Sequence, residues 1–135
     1  MKEVEGETPV LEKLGLTSMA QALAAHAGAR LETVARNVAN ADTPGYRASD
    51  VPEFAAIYED HAFALRGTRA GHVLNDPAQM WAPIQSGDGM APNGNDVSLD
   101  AQMMKATAAR QSHEMALAIY QNTSDILRIS LGRNS

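Results

Sequence analysis

Hydrophobic positions repeat at helical spacing in two stretches, one toward each end of the chain. From Leu16 the apolar or small positions are Met19, Ala20, Leu23, Ala27, Leu31, Val34 and Val38, in steps of three and four that keep to one face. This pattern predicts one long amphipathic helix built of helix formers, with Gly28 its only weak point at about 1 kcal/mol against Ala. The stop is written in the residues that follow. Asn40 suits a left-handed C′ position, and Thr43-Pro44-Gly45-Tyr46 has Pro and Gly at the two central places of a type II turn. A second helix is predicted to start near Asp96 or Ser98, either of which can cap it, and to run to Leu131 with Gly132 as the C′ residue. Its seam is expected at Leu99, Met103, Ala106, Leu117, Tyr120, Leu127 and Leu131, interrupted by Arg110, His113 and Ser124. A flanking row of Met115, Ile119, Ile126 and Ile129 widens the face enough for more than one neighbour. Such a helix is roughly 50 Å long, whereas a compact chain of this size is under about 40 Å across. An elongated molecule is therefore expected.

Residues 47–95 lose this periodicity. SDVPEFAAIYEDHAFALRG is compatible with a short helix from Glu53 to Leu65, with Asp50 as cap and Gly67 as stop. The following segment is rich in Gly, Pro, Asn and Asp, and there His72-Val73-Leu74 and Met80 to Ile84 read as short strands or extended chain. The chain thus divides into an N-terminal extension (1–15), a first helix with its turn (16–46), a middle region (47–95) and a second helix (96–135).

Composition changes how the two helices must work. Hydrophobic residues make up 44% of the 135 residues, but 24 of them are Ala, and Leu, Ile, Val and Phe together supply only 25. That is thin for a chain that must offset its ordering entropy by burial. The net charge is −5, and residues 42–97 alone carry −5, so nothing drives binding to phosphate backbones or anionic lipid. There is no Cys for a disulfide framework or a thiolate metal site. No stretch approaches the roughly 18 apolar residues of a membrane span, and the acidic opening MKEVEGETPV lacks the apolar core of a cleaved signal.

Catalytic groupings are weak. Ser112-His113-Glu114 has the residue types of a triad, but consecutive helical residues point apart and cannot form a relay. His26, His61, His72 and His113 contain no i, i+4 pair, so a metal site would need distant segments to converge. Glu59, Asp60 and Asp76 have no fixed separation. Gly87-Asp88-Gly89 lacks the third glycine and following helix of a phosphate cradle, and NGNDVSLD is a single copy of a calcium-binding pattern that works only in stacked repeats. No catalytic residue, metal or cofactor is expected.

ARNVANADTPGYRASD, at the junction of the first helix and the middle, is specific. Through Arg30, Asn37, Ala39, Asn40, Ala41, Asp42, Thr43, Pro44, Gly45 and Tyr46 it closely resembles the signature of the bacterial flagellar rod, hook and hook-associated axial protein family. The short length, the uninterrupted TPGYRASD and the segment GNDVSLDAQMMK match the proximal rod members best. The resemblance covers the two terminal regions, about half of the chain. It implies a mainly α fold in which the two long helices pair as an antiparallel coiled coil, with a short helix and an irregular or minor β segment between them. It also implies a structural subunit that polymerises through its terminal helices into the axle enclosing the export channel. Implied partners are other rod subunits, of its own kind and FlgC-like, the membrane-ring adaptor FliE and the type III export gate. The implied location is the periplasmic rod, reached without signal cleavage. The helix-packing seam would comprise Leu16, Leu23, Leu31, Val34, Val38, Leu99, Met103, Leu117, Tyr120, Leu127 and Leu131, with Asn37 bonding backbone or neighbours near the helix end. Arg36, His113 and Gln102 depart from what relatives commonly carry. From the residues alone, a helical adaptor or export chaperone, or a small hydrolase or metalloprotein built on His61 and His72, are the competing classes.

Overall fold

A computed structural model describes residues 8–62, 81–87 and 89–132. Two helices dominate it, α1 (Thr8–Ala39) and α3 (Leu99–Gly132), and most contacts between elements join these two. Between them lie β1 (Ser49–Asp50), α2 (Phe54–Ala62) and β2 (Ile84–Gln85). Asn37 near the end of α1 meets Gln102 near the start of α3, so the helices run antiparallel. The strands form a small antiparallel ladder pairing Ser49 with Gln85 and Asp50 with Ile84, extended by the Ser86 N–H donating to Ala48 O.

α1 begins at Thr8, eight residues before the apolar pattern sets in at Leu16. Val10 to Leu14 are mostly good helix formers, and propensity carries the helix where no apolar stripe demands it. At its other end Asn40 is not left-handed, since no described residue other than Gly has a positive φ. The helix tightens instead. Asn40 N–H donates to Arg36 O and Asn37 O, and Ala41 N–H to Val38 O, the short-range bonds that satisfy terminal groups without a left-handed residue. The type II turn forms as expected, with Gly45 at φ 72° and Tyr46 N–H donating to Thr43 O at 3.3 Å.

Ser98 caps α3. Its hydroxyl accepts from Ala101 N–H and its carbonyl from Gln102 N–H. The other candidate, Asp96, is buried and used elsewhere. Gly132 is the last helical residue and keeps a helical φ rather than serving as a left-handed stop. The short helix lies within its expected bounds, but Asp50 does not cap it. Glu53 O accepts the Ile57 N–H, while the Asp50 side chain turns to Arg30. Of the expected extended segments, only the end of the second is seen as strand, at Ile84; His72-Val73-Leu74, Met80 and Gly67 lie outside the described residues.

The helices meet along small side chains. Buried positions fall seven apart, at Ala20, Ala27 and Val34 on α1 and at Gln102, Ala109, Ala116 and Thr123 on α3. This corrects the expected seam for packing within one chain. Leu16, Val38, Leu99, Met103, Leu117, Tyr120 and Leu131 are all exposed, Leu23, Leu31 and Leu127 are half-buried, and only Val34 is buried. The physical reason is size. Ala at each contact lets two backbones approach closely, and the larger residues one turn-step round the helix are then left on the flanks. Thr33 and Thr123 are tolerated in this setting because each hydroxyl donates to the carbonyl four residues earlier, at 2.9 and 2.7 Å.

Candidate functional site: a buried polar junction

Among the described residues, a set of heavily bonded side chains lies in the interior. Asn37 and Gln102, both fully buried, are the largest side chains with no solvent contact among the described residues. Asn37 Nδ2 donates to Ser49 O at 2.7 Å and to Gln102 Oε1 at 3.0 Å. Its Oδ1 accepts from Ser49 N–H at 3.1 Å and from Tyr46 Oη at 3.2 Å. One amide therefore uses its full donor and acceptor capacity. It ties α1 to the turn, to β1 and to α3 at a point where an unpaired amide would cost about 1–3 kcal/mol.

Beside it, Arg30 holds Asp50 through two parallel bonds, Nε to Oδ1 and Nη2 to Oδ2, each 3.0 Å. Lys105 Nζ stands 3.4 Å from Asp50 Oδ2. The carboxylate thus joins α1, β1 and α3. Burial alone would push the Asp50 carboxyl up, but the hydrogen bond and charge of Arg30, the charge of Lys105 and the Val51 N–H outweigh it and hold the carboxyl below its ordinary value. For a depressed carboxyl the associated stability is complete above the unfolded-state value of about 3.9 and is lost as pH falls through the lower folded value. Asp50→Asn should therefore melt below the wild type at pH 7, with the gap closing as pH approaches 2. A gap that stayed constant across that range would refute the assignment.

The third part of the junction is the loop before α3. Asn95 Nδ2 donates to Asn40 O at 2.9 Å and Thr43 O at 2.8 Å, so this side chain closes the C-terminus of α1. Its Oδ1 accepts from Val97 N–H at 2.8 Å. Buried Asp96 accepts the Ala48 N–H and lies 3.6 Å from Arg47. Two glycines make the fit possible. Gly45 N–H donates to Asn93 O, and a Cβ on Gly94 (φ 80°) would stand 3.4 Å from Gly45 Cα.

The residues singled out in the sequence are therefore largely one assembly. Arg30, Asn37, Asn40, Thr43, Gly45 and Tyr46 belong to the network, Ala41 is half-buried beside it, and Asp42 and Pro44 are exposed. Sequence reasoning missed Asp50, which looked like a helix cap, and Asn95, Gln102 and Lys105 as partners. A usable signal existed, since Asn95 and Gln102 precede Ala109, Ala116 and Thr123 at the same seven-residue interval. Among the described residues no group of three His, Asp or Glu is placed to hold a metal. The side chains of His61 and His72 lie outside the described residues. On the neighbouring flank His26 is buried, with Nε2 2.7 Å from Pro52 O and its ring edge-on to Phe54 and Trp81. These rings seat α2 on the helix pair. No described helix is long and apolar enough to cross a membrane. The network's bonds join α1, β1, the loop before α3 and α3 itself, so it acts as a structural clamp.

Residues 18–47, which hold most of the α1 side of this clamp, match the family described as Flagella basal body rod protein. Over 135 aligned residues, 91% of this chain and 97% of the relative, the sequence is 23% identical to Flagellar basal body rod protein FlgB of Agrobacterium fabrum. The matched segment ends at the turn that the junction holds in place, and the likeness to that rod protein runs almost end to end.

Proposed function

We propose that this chain is a proximal rod subunit of the FlgB kind, a structural component that polymerises through one uncovered flank of its helix pair. The uncovered flank is the observation that carries this reading. Residues three after or one before the α1 seam positions, namely Arg30, Asn37, His26 and Thr33, lie under the β1–β2 ladder and the rings of Phe54 and Trp81. Lys105, three after Gln102, reaches the same side of α3. Residues one and four after the seam positions must then form the opposite flank on both helices, because the helices are antiparallel. On α1 these include Leu14, Ala24, Gly28, Leu31, Ala35 and Val38, and on α3 Met103, Ala106, Leu117, Tyr120, Leu127 and Leu131.

This flank is mostly apolar, interrupted by Gln21 and Ser124, and much of it is open in the single chain, with Met103 at 68% and Leu131 at 74% exposure. Arg110 and His113 are its ionisable groups on α3. An apolar face of this extent marks a protein contact. The row turned away from the seam, Asp100, Thr107, Glu114, Gln121 and Arg128, is polar throughout. A two-helix slab with a clamped end and an open apolar flank, with Met115, Ile126 and Ile129 also exposed on the other side of α3, suits a subunit stacked around an axis, where neighbours supply the burial that the Ala seam lacks. Contact with other rod subunits, FlgC-like ones included, with FliE and with the export gate follows from the same role, as does a place in the periplasmic part of the basal body. Deleting the gene should leave basal bodies without a rod, restored by the wild-type copy. A deletion strain that still built complete rods would overturn the assignment.

A further inference from the structure

We infer that the buried amides at the junction set the register of the two helices, a task the seam itself cannot perform. The seam of α3 reads Asn95, Gln102, Ala109, Ala116, Thr123 at one interval of seven, the first of these in the loop that leads into the helix. Moving α3 by one such interval puts Ala109 where Gln102 was and Ala116 where Ala109 was. The facing residues Ala20 and Ala27 would meet much the same surface after the shift. Seam packing therefore discriminates weakly between the two arrangements, the shift costing the overlap of one interval at the far ends of the helices. The polar groups discriminate strongly: with Ala109 opposite it, Asn37 Nδ2 loses its Gln102 acceptor, and Asn95 is pulled off Asn40 O and Thr43 O. Lys105 would also leave Asp50, which keeps its two bonds to Arg30.

All these links lie at one end. Among the described residues, no side-chain hydrogen bond or ion pair joins residues 109–131 to α1; Thr123 and Ser130 bond their own helix, and Arg110 pairs with Glu114. A buried amide pair that fixes register at some cost in stability is a known use of such groups. Register matters here because each open flank is composed of both helices. A shift of seven residues displaces α3 by about 10 Å along α1 and breaks the alignment of the two halves of the face.

Spin labels at Ser18 and Gln111, both exposed and well separated along the axis, test this in the full-length chain. The wild type should give one distance. Asn95→Ala with Gln102→Leu should keep its helicity and add a second population, longer by most of the roughly 10 Å shift. Thr123→Ala, in the same seam but away from the junction, should keep the single distance. A double variant with only the wild-type distance would overturn the inference. So would a wild type lacking a single distance; should the double variant lose its helicity, Gln102→Leu alone, which keeps the Asn95 bonds, is read in its place with the same two outcomes.

Discussion

Replacing Asn37 with Ala should destabilise the chain by roughly 3–5 kcal/mol, among the largest effects available to a single substitution. Four partners lose their bond at once, and Ser49 N–H and O, the Tyr46 hydroxyl and the Gln102 side chain are then left around a dry space. In a chain of this size that corresponds to a fall in Tm of about 10 °C or more. Asn37→Asp refines the expectation. It keeps the shape and both bonds accepted by Oδ1, but it removes the two donors and buries a carboxylate against Ser49 O. Its cost should match that of Ala despite the near-identical volume. Thermal melts of the two variants followed by circular dichroism decide the matter, and an Asn37→Asp protein as stable as wild type would show that the donors to Ser49 O and Gln102 are dispensable.

The second large effect is expected without any loss of stability. Met103→Glu with Leu117→Glu places two carboxylates on the open flank, where the wild-type side chains are exposed in the single chain. Helicity and Tm of the isolated protein should change little, each exposed substitution being worth within about 0.5 kcal/mol. Assembly should fail. Each subunit contact would have to bury an unpaired carboxylate at a cost of several kcal/mol, in place of a Leu or Met whose burial contributes about 1.5–3 kcal/mol. Swimming through soft agar should be abolished, while Gln121→Glu on the polar row leaves it intact. Normal spreading by the double variant would mean that this flank does not meet another subunit.

Much of the fold was legible because it depends on local signals. The helix in α1, the Ser98 cap, the Pro44-Gly45 turn and the loss of pattern after Tyr46 all follow from residues close together in sequence. The seam was not legible in the same way. Hydrophobic periodicity weights Leu and Met, and on α3 it picks out the row at Met103, Leu117 and Leu131, which one chain leaves exposed. The residues that touch α1 are the small ones one position away, and only the approach distance of the two backbones reveals that they are the contact. The junction was half legible. Asn37 stood out because an ordinary helix stop gives it no purpose, but its partners Ser49 and Gln102 lie 12 and 65 residues away. Gln102 looked like a departure from the pattern of relatives, and in the structure it is the acceptor for Asn37. Asp50 was assigned to the nearest helix start when its counter-charges lie 20 residues back and far ahead on α3. Pairings of this kind are properties of the assembled fold and leave no mark in local spacing.

The Asn37–Gln102 pair also bears on how fast the molecule forms. Its partners are separated by 65 residues, and closing a loop of that length costs about 4 kcal/mol of chain entropy beyond a length-independent constant. Helical proteins usually fold quickly because their contacts are between near neighbours in sequence. Here each helix is local, but the contacts between the two helices are not, so this molecule departs from that rule. A newly made chain must search before its two helices meet, and its Ala-rich faces stay open to other molecules for as long as that search lasts.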